Sequence, residues 1–199
     1  YYAVCLCSDW RNYQEISTSK KHEEVEKMVE KFYNIIYSEL ETLNIAGQYF
    51  ADWTADELFI IFYDKIDEEE KVNKEALKFA HSLATKLFLD ISSIVDKDLK
   101  YDIGISSGIG LIGLQGPANY KKTYSMGEVG GNAKRFETQA KSIRSTIIDQ
   151  PFPIIVMDKE LEKCAKSISL YDNLNSTSIK GDVKDIIDKE LSYWHLDIK

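Results

Sequence analysis

Apolar residues along the chain fall into short continuous runs and into longer stripes spaced by three and four. Residues 1–7 form such a run and predict a buried strand ending at Ser8-Asp9. Ser17, Thr18 and Ser19 offer N-caps for a helix reaching about residue 44, with Val25, Met28, Phe32, Ile36 and Leu40 along one stripe. Residues 47–53 and 57–63 read as a hairpin turning at Thr54-Ala55-Asp56. Its second arm is apolar throughout and is expected to be buried on both faces. Residues 64–74 are charged and read as a solvated connection. A second amphipathic helix follows from about 74 to 95, with Leu77, Ala80, Leu83, Leu87, Phe88, Ile91 and Ile94 inward.

Residues 101–107 and 109–114 predict a further apolar strand pair, interrupted by glycines. A helix over about 131–142, a strand at 153–157 and a short helix at 158–166 complete the core. The order β-α-β-β-α-β is the split-βαβ, ferredoxin-like plan of an α/β (α+β) protein. At 199 residues one domain is expected, with its core over about 1–166 and a polar C-terminal extension over 167–199.

Charge and composition then remove whole classes. A net charge of −8 lacks the basic stripe of a nucleic-acid binder, so no direct nucleic-acid partner is expected. Three cysteines, Cys5, Cys7 and Cys164, are too few for a disulfide framework and fit a reducing, cytoplasmic compartment. No stretch reaches the roughly 20 apolar residues of a membrane span. The chain opens on its first apolar run without a basic leader, so no signal peptide is expected. That start reads as a strand entered at its first residue, with an N-terminal piece expected before it.

Two motifs mislead. Gly108-Ile-Gly-Leu-Ile-Gly113 satisfies G-x-G-x-x-G, yet it lies inside an apolar strand pattern rather than between a strand and a helix. Cys5 and Cys7 share one strand face but have no ligand partners at metal-site spacing, so core packing is their reading. His22, His81 and His195 fall in no ligand spacing. There is no nucleophile elbow and no P-loop.

Asp9 follows directly on an apolar strand, and Asp56 sits in the hairpin turn. In a ferredoxin-like sheet those strands are neighbours, so the two carboxylates can meet at one end. Hard oxygen ligands of this kind suit Mg2+ or Mn2+ where phosphates complete the coordination. Spacing alone also permits two turn-capping aspartates, the commoner role.

Five blocks carry a resemblance. They are residues 8–17, 47–62, 103–113, 124–137 and 153–161, the last being a strand followed by Asp-Lys-Glu-Leu. In this order they resemble the catalytic domain of class III nucleotide cyclases. The likeness covers residues 2 to about 166. It implies a nucleotide cyclase that makes a 3′,5′-cyclic nucleotide and pyrophosphate from a nucleoside triphosphate. Asp9 and Asp56 would hold two ions, Mg2+ or Mn2+, over the triphosphate. Backbone N–H groups around Trp10–Tyr13 would cradle phosphate oxygens. Arg135 would stabilise charge on the α-phosphate, and Lys180 would bind phosphate. The resemblance also implies a head-to-tail homodimer, with the aspartates from one chain and Arg135 from the other. On sequence alone Arg135 is also readable as a surface helix arginine.

Three departures bear on the substrate. Class III enzymes usually place an asparagine four positions before the arginine, and here Gly131 stands there with Asn132 next to it. The base-selecting positions carry Asp52 and Tyr124 in place of a lysine and a smaller polar residue. A carboxylate at Asp52 only accepts hydrogen bonds, which suits guanine, cytosine or uracil. Tyr124, with Trp53 and Tyr49, is expected to narrow the pocket towards a single-ring base. Such positions look similar to the pyrimidine cyclases of bacterial antiphage Pycsar signalling, implying UTP to cUMP or CTP to cCMP. Guanylate or adenylate cyclase, or a silent cyclase-homology regulatory module, are the alternatives.

Overall fold

The opening apolar run becomes β1 (Tyr2–Arg11), which continues past the expected end at Ser8-Asp9. The reason lies in its partners. β1 is flanked on both sides, antiparallel to β3 (Glu57–Asp64) as far as Asp9↔Glu57 and to β4 (Lys100–Ile109) as far as Arg11↔Lys100. The strand therefore ends where its hydrogen-bonded neighbours end. The computed structural model describes residues 1–42, 48–91, 100–146, 153–172, 174–178 and 190–196.

Between β1 and β3 run α1 (Tyr13–Ser19), α2 (His22–Thr42) and β2 (Gln48–Thr54). α3 (Glu69–Ile91) precedes β4, and β5 (Leu111–Gln115) and β6 (Lys122–Met126) follow it. α4 (Glu128–Thr146), β7 (Ile154–Met157), α5 (Lys159–Ser167), β8 (Asn175–Ser178) and β9 (Glu190–His195) complete the order. The main sheet runs β2-β3-β1-β4-β7-β9-β8. Strands of the 167–199 stretch thus belong to the central sheet, with Tyr193 and Trp194 buried.

Alternation along the strands sorts side chains into two layers. Val4, Leu6, Trp10, Leu58, Ile60 and Phe62 pack with α2 and α3 in the larger core. Ala3, Cys5, Cys7 and Ile61 face Val129 and Ala133 of α4, so the two cysteines are packing residues. Burial pushes both thiols up to about 12.

Local expectations differ at three places. Ser17, Thr18 and Ser19 do not cap the long helix; their hydroxyls donate to carbonyls of Gln14 and Ile16 inside α1. The Lys21 N–H instead donates to Glu24 Oε2 at 3.3 Å, a reach-back from the third helical residue. The charged connection is mostly structured: a 3-10 turn at Ile66–Glu68 runs into α3, whose acidic first turn suits a helix N-terminus. The segments 101–107 and 109–114 do not pair. β4 pairs with β1 along its length and with β7 over 102–105, while β5 pairs with β6 as a separate ribbon. That ribbon leaves Ile109, Leu111 and Leu114 exposed.

α4 lies directly on β4. A Cβ at Gly104 would stand 2.1 Å from the Ala133 carbonyl oxygen, which only glycine avoids. Beside it Asp102 is fully buried, its Oδ2 receiving the Arg11 Nε hydrogen bond at 2.6 Å and its Oδ1 that of Arg144 Nη2. One carboxylate so ties β1, β4 and α4 together. Removing it would take their shared buried anion from two largely buried guanidinium groups. We expect Asp102→Ala to lower unfolding stability by about 3–5 kcal/mol in urea titrations; a loss below about 1 kcal/mol would contradict this role.

Candidate functional site

Register brings the candidate carboxylates together. Asp9 stands opposite Glu57 on β3 and opposite Asp102 on β4, all on the α4 face. Asp56 precedes Glu57 in the hairpin turn, whose Ala55 takes a left-handed conformation at φ 52. An alanine there carries modest strain at the tip that presents Asp56. Asn12, in the turn after β1, is likewise left-handed at φ 63. Asparagine tolerates that region better than most residues.

The Asp9 carboxyl is pushed up to about 6, first by burial and then by the Glu137 carboxylate. Arg11 and Lys134 pull it down, and Asp56 pushes it up, so the two aspartates feel each other electrostatically. Arg11 Nη1 lies 3.4 Å from Asp9 Oδ2. Arg11 Nη2 donates to the Glu137 carbonyl at 3.0 Å and to its carboxylate. Lys134 Nζ bridges Glu57 Oε1 at 2.6 Å and Glu137 Oε2 at 3.5 Å. A belt of alternating charge thus runs from the hairpin across β1 to α4.

The other candidates fall as follows. Trp10 points to the opposite face and is buried against Phe32 and Tyr13, its indole N–H without a hydrogen-bond partner among the described residues. Its side chain does not line the site, because strand alternation sends it away from Asp9. Asp52 is exposed on β2 opposite Phe59, on the same face as Asp9. Trp53 and Tyr49 do not flank it. They occupy the other face, Trp53 against Tyr33 and Tyr37 of α2 and Tyr49 against Phe62. Tyr124 stands in β6 opposite Gly113, and its side chain lies outside the described residues, as does Lys180.

Arg135 is half-buried on α4, its Nη1 3.3 Å from Asn132 Oδ1. Its neighbour Lys134 and Glu137 reach the Asp9 end; helical rotation of about 100° per residue turns Arg135 elsewhere. The chain therefore brings Asp9 and Asp56 together but presents Arg135 on another side. Asn132 is buried, and a Cβ at Gly131 would come 3.5 Å from Arg135 Nη1.

Arg11, Asp102, Glu137, Lys134 and Glu57 were not singled out from sequence. Two signals pointed to them. Asp102 is a charge inside an apolar strand run, which requires a buried partner. Arg11 lies two residues beyond Asp9, on the same strand face.

No family model matches the chain, and no curated protein matches it in sequence. Solved structures do match it in shape. The adenylyl cyclase CyaB from P. aeruginosa superposes with a TM-score of 0.75 at 16% identity, over 100% of this chain and 95% of that one. The guanylyl cyclase Cya2 gives 0.69 at 13% identity, over 98% and 91%. The guanylate cyclase domain of RhGC from Catenaria anguillulae, solved in complex with GTP, gives 0.67 at 13% identity, over 100% and 97%. At such identities the shared property is the fold, and that fold is the one of class III nucleotide cyclase catalytic domains.

Proposed function

We propose that the chain is a nucleotide cyclase that takes a nucleoside triphosphate, a pyrimidine one by preference, to its 3′,5′-cyclic monophosphate and pyrophosphate. The observation that carries this reading is the meeting of Asp9 and Asp56 at one end of β1 and β3 in a cyclase fold. Among the described residues no group of three or more Asp, Glu, His or Cys is arranged to hold a metal alone. Two carboxylate donors fit Mg2+ or Mn2+ when triphosphate oxygens fill the remaining positions. Asp9 and Asp56 would hold two ions per site, which would supply Lewis-acid polarisation of the α-phosphate and acidification of the ribose 3′-hydroxyl. The 3′-oxygen bonds to the α-phosphorus as the bond to the β-phosphate oxygen breaks; the hydroxyl proton passes to solvent.

Arg135 stabilises the transferred charge from a second copy of the chain, in a homodimer with two composite sites. Support comes from α4, which turns Arg135 away from its own Asp9. Lys180 is assigned to the phosphates and the Trp10 backbone to the approach of the triphosphate; both rest on the resemblance. Asp52 reads the base: it is exposed, on the site face, and only accepts hydrogen bonds. With Trp53 and Tyr49 on the other face, the pyrimidine preference rests on Asp52 and the Tyr124 position. A cUMP or cCMP product would suit a signal of the Pycsar antiphage type. No described helix is long and apolar enough to cross a membrane.

A second reading is a silent cyclase-homology module that binds nucleotide without turnover. Gly131 at the ribose-orienting position, with Asn132 buried and engaged by Arg135, favours it. Activity assays separate the two.

Asp9→Ala and Asp56→Ala are expected to lower turnover at least about a hundredfold while leaving circular dichroism unchanged. Full activity in either variant contradicts the metal assignment. The metal-free Asp9 carboxyl is ionised well above pH 6 and protonated below it, so turnover at subsaturating Mn2+ falls as pH drops through about 6. A flat profile to pH 5 contradicts that assignment of Asp9.

Mixing inactive Asp56→Ala with inactive Arg135→Ala protein is expected to restore part of the activity, through the one intact site of each heterodimer. If subunit exchange is verified and nothing returns, Arg135 does not act across the interface.

Side-by-side kinetics on UTP, CTP, GTP and ATP with Mn2+ are expected to favour a pyrimidine, UTP slightly, and Asp52→Ala to weaken that preference. A clear preference for ATP or GTP overturns the base reading and leaves the cyclase reading standing.

A further inference from the structure

Arg11 is held by acceptors on three elements. Its Nε donates to Asp102 Oδ2 at 2.6 Å, its Nη2 to the Glu137 carbonyl at 3.0 Å and to the Glu137 carboxylate. Asp102 is fully buried and the Glu137 side chain is 2% exposed. Swinging the guanidinium away would leave two buried carboxylates short of a partner, so it stays where it is. Its remaining contact, Nη1 to Asp9 Oδ2, is the longest at 3.4 Å. The anchoring therefore belongs to Asp102 and Glu137. Asp9 is the partner left able to exchange Arg11 for another cation.

A fixed guanidinium beside one oxygen of Asp9 opposes a divalent ion on the same carboxylate. Lys134 strengthens the effect by occupying Glu57, which stands opposite Asp9, and Glu137. Phosphate oxygens would reverse the balance by bringing several negative charges and further hard ligands.

We propose that Arg11 is a built-in counter-cation that holds down the metal affinity of the free chain, so that the divalent ion binds with the triphosphate and not before it. The inference rests on the metal reading of Asp9 given above. Arg11 is a positioning residue: it acts through Asp9 and touches neither substrate nor the reacting atoms. Its effect is on the order of binding.

The test is Mn2+ binding to nucleotide-free protein at pH 8, read from the paramagnetic resonance signal of free Mn2+, for wild type, Arg11→Gln and Arg11→Lys. Glutamine keeps hydrogen-bond donors for Asp102 and loses the charge, whereas lysine keeps the charge. Arg11→Gln is expected to bind Mn2+ about tenfold more tightly than wild type, and Arg11→Lys to stay within about twofold of it. Adding Asp9→Asn to Arg11→Gln is expected to abolish the gain. Unchanged or weaker binding in Arg11→Gln, or a gain that survives Asp9→Asn, overturns the proposal. Should Arg11→Gln melt below the assay temperature, all variants are compared below its melting temperature, with the same expectation. A separate result bears on the underlying reading. If wild type with a non-hydrolysable triphosphate retains Mn2+ no better than Asp9→Asn does, the metal reading of Asp9 falls, whatever Arg11 does.

Discussion

A buried carboxylate organises this molecule. Asp102 sits inside the central sheet with no exposure, and an ionised acid there persists only with hydrogen-bonded cations around it. Arg11 comes to it from β1 and Arg144 from α4, so the charge requirement of one side chain fixes three elements relative to one another. The glycine at position 104 completes the constraint by letting the α4 backbone rest on β4. Everything at the candidate site hangs from this junction. Arg11 touches Asp9, Glu137 pushes the Asp9 carboxyl up, and Lys134 reaches from α4 to the hairpin that carries Asp56.

Much of the architecture was legible from periodicity. The two long helices, the hairpin at Ala55-Asp56, β7 and α5 follow from apolar spacing and turn residues, because each is decided by local pattern. What was not legible depends on partners. β1 runs on to Arg11 because β4 continues alongside it after β3 has ended at Glu57, and β5 pairs with β6 rather than with β4. Ser17–Ser19 looked like caps since hydroxyls favour helix starts, but the same hydroxyls satisfy themselves on carbonyls within a helix.

The candidate site divides in the same way. Asp9 and Asp56 were readable from their places at strand end and turn, and strand pairing brings them to one end of the sheet. Their surroundings were not, because Arg11, Glu137 and Asp102 come together only when β1, β4 and α4 pack. Trp53 and Tyr49 were drawn to the pocket by closeness in sequence to Asp52. Strand alternation sends them to the other face, where they pack on α2 and Phe62. The Arg135 contact with Asn132 shows how the helix separates neighbours: residues 134 and 137 serve the carboxylates of their own chain, and residue 135 faces elsewhere. That split is compatible with the proposed site shared between two copies.

The central claim is that Asp9 and Asp56 jointly hold the ions over a triphosphate while a second copy brings Arg135. A crystal structure of the protein with Mn2+ and a non-cyclisable triphosphate tests it most directly. The account predicts Mn2+ bound by both aspartates and by phosphate oxygens, with the partner subunit's Arg135 at the α-phosphate. Triphosphate bound away from these two carboxylates, or with Arg135 of the same chain at the α-phosphate, would contradict it.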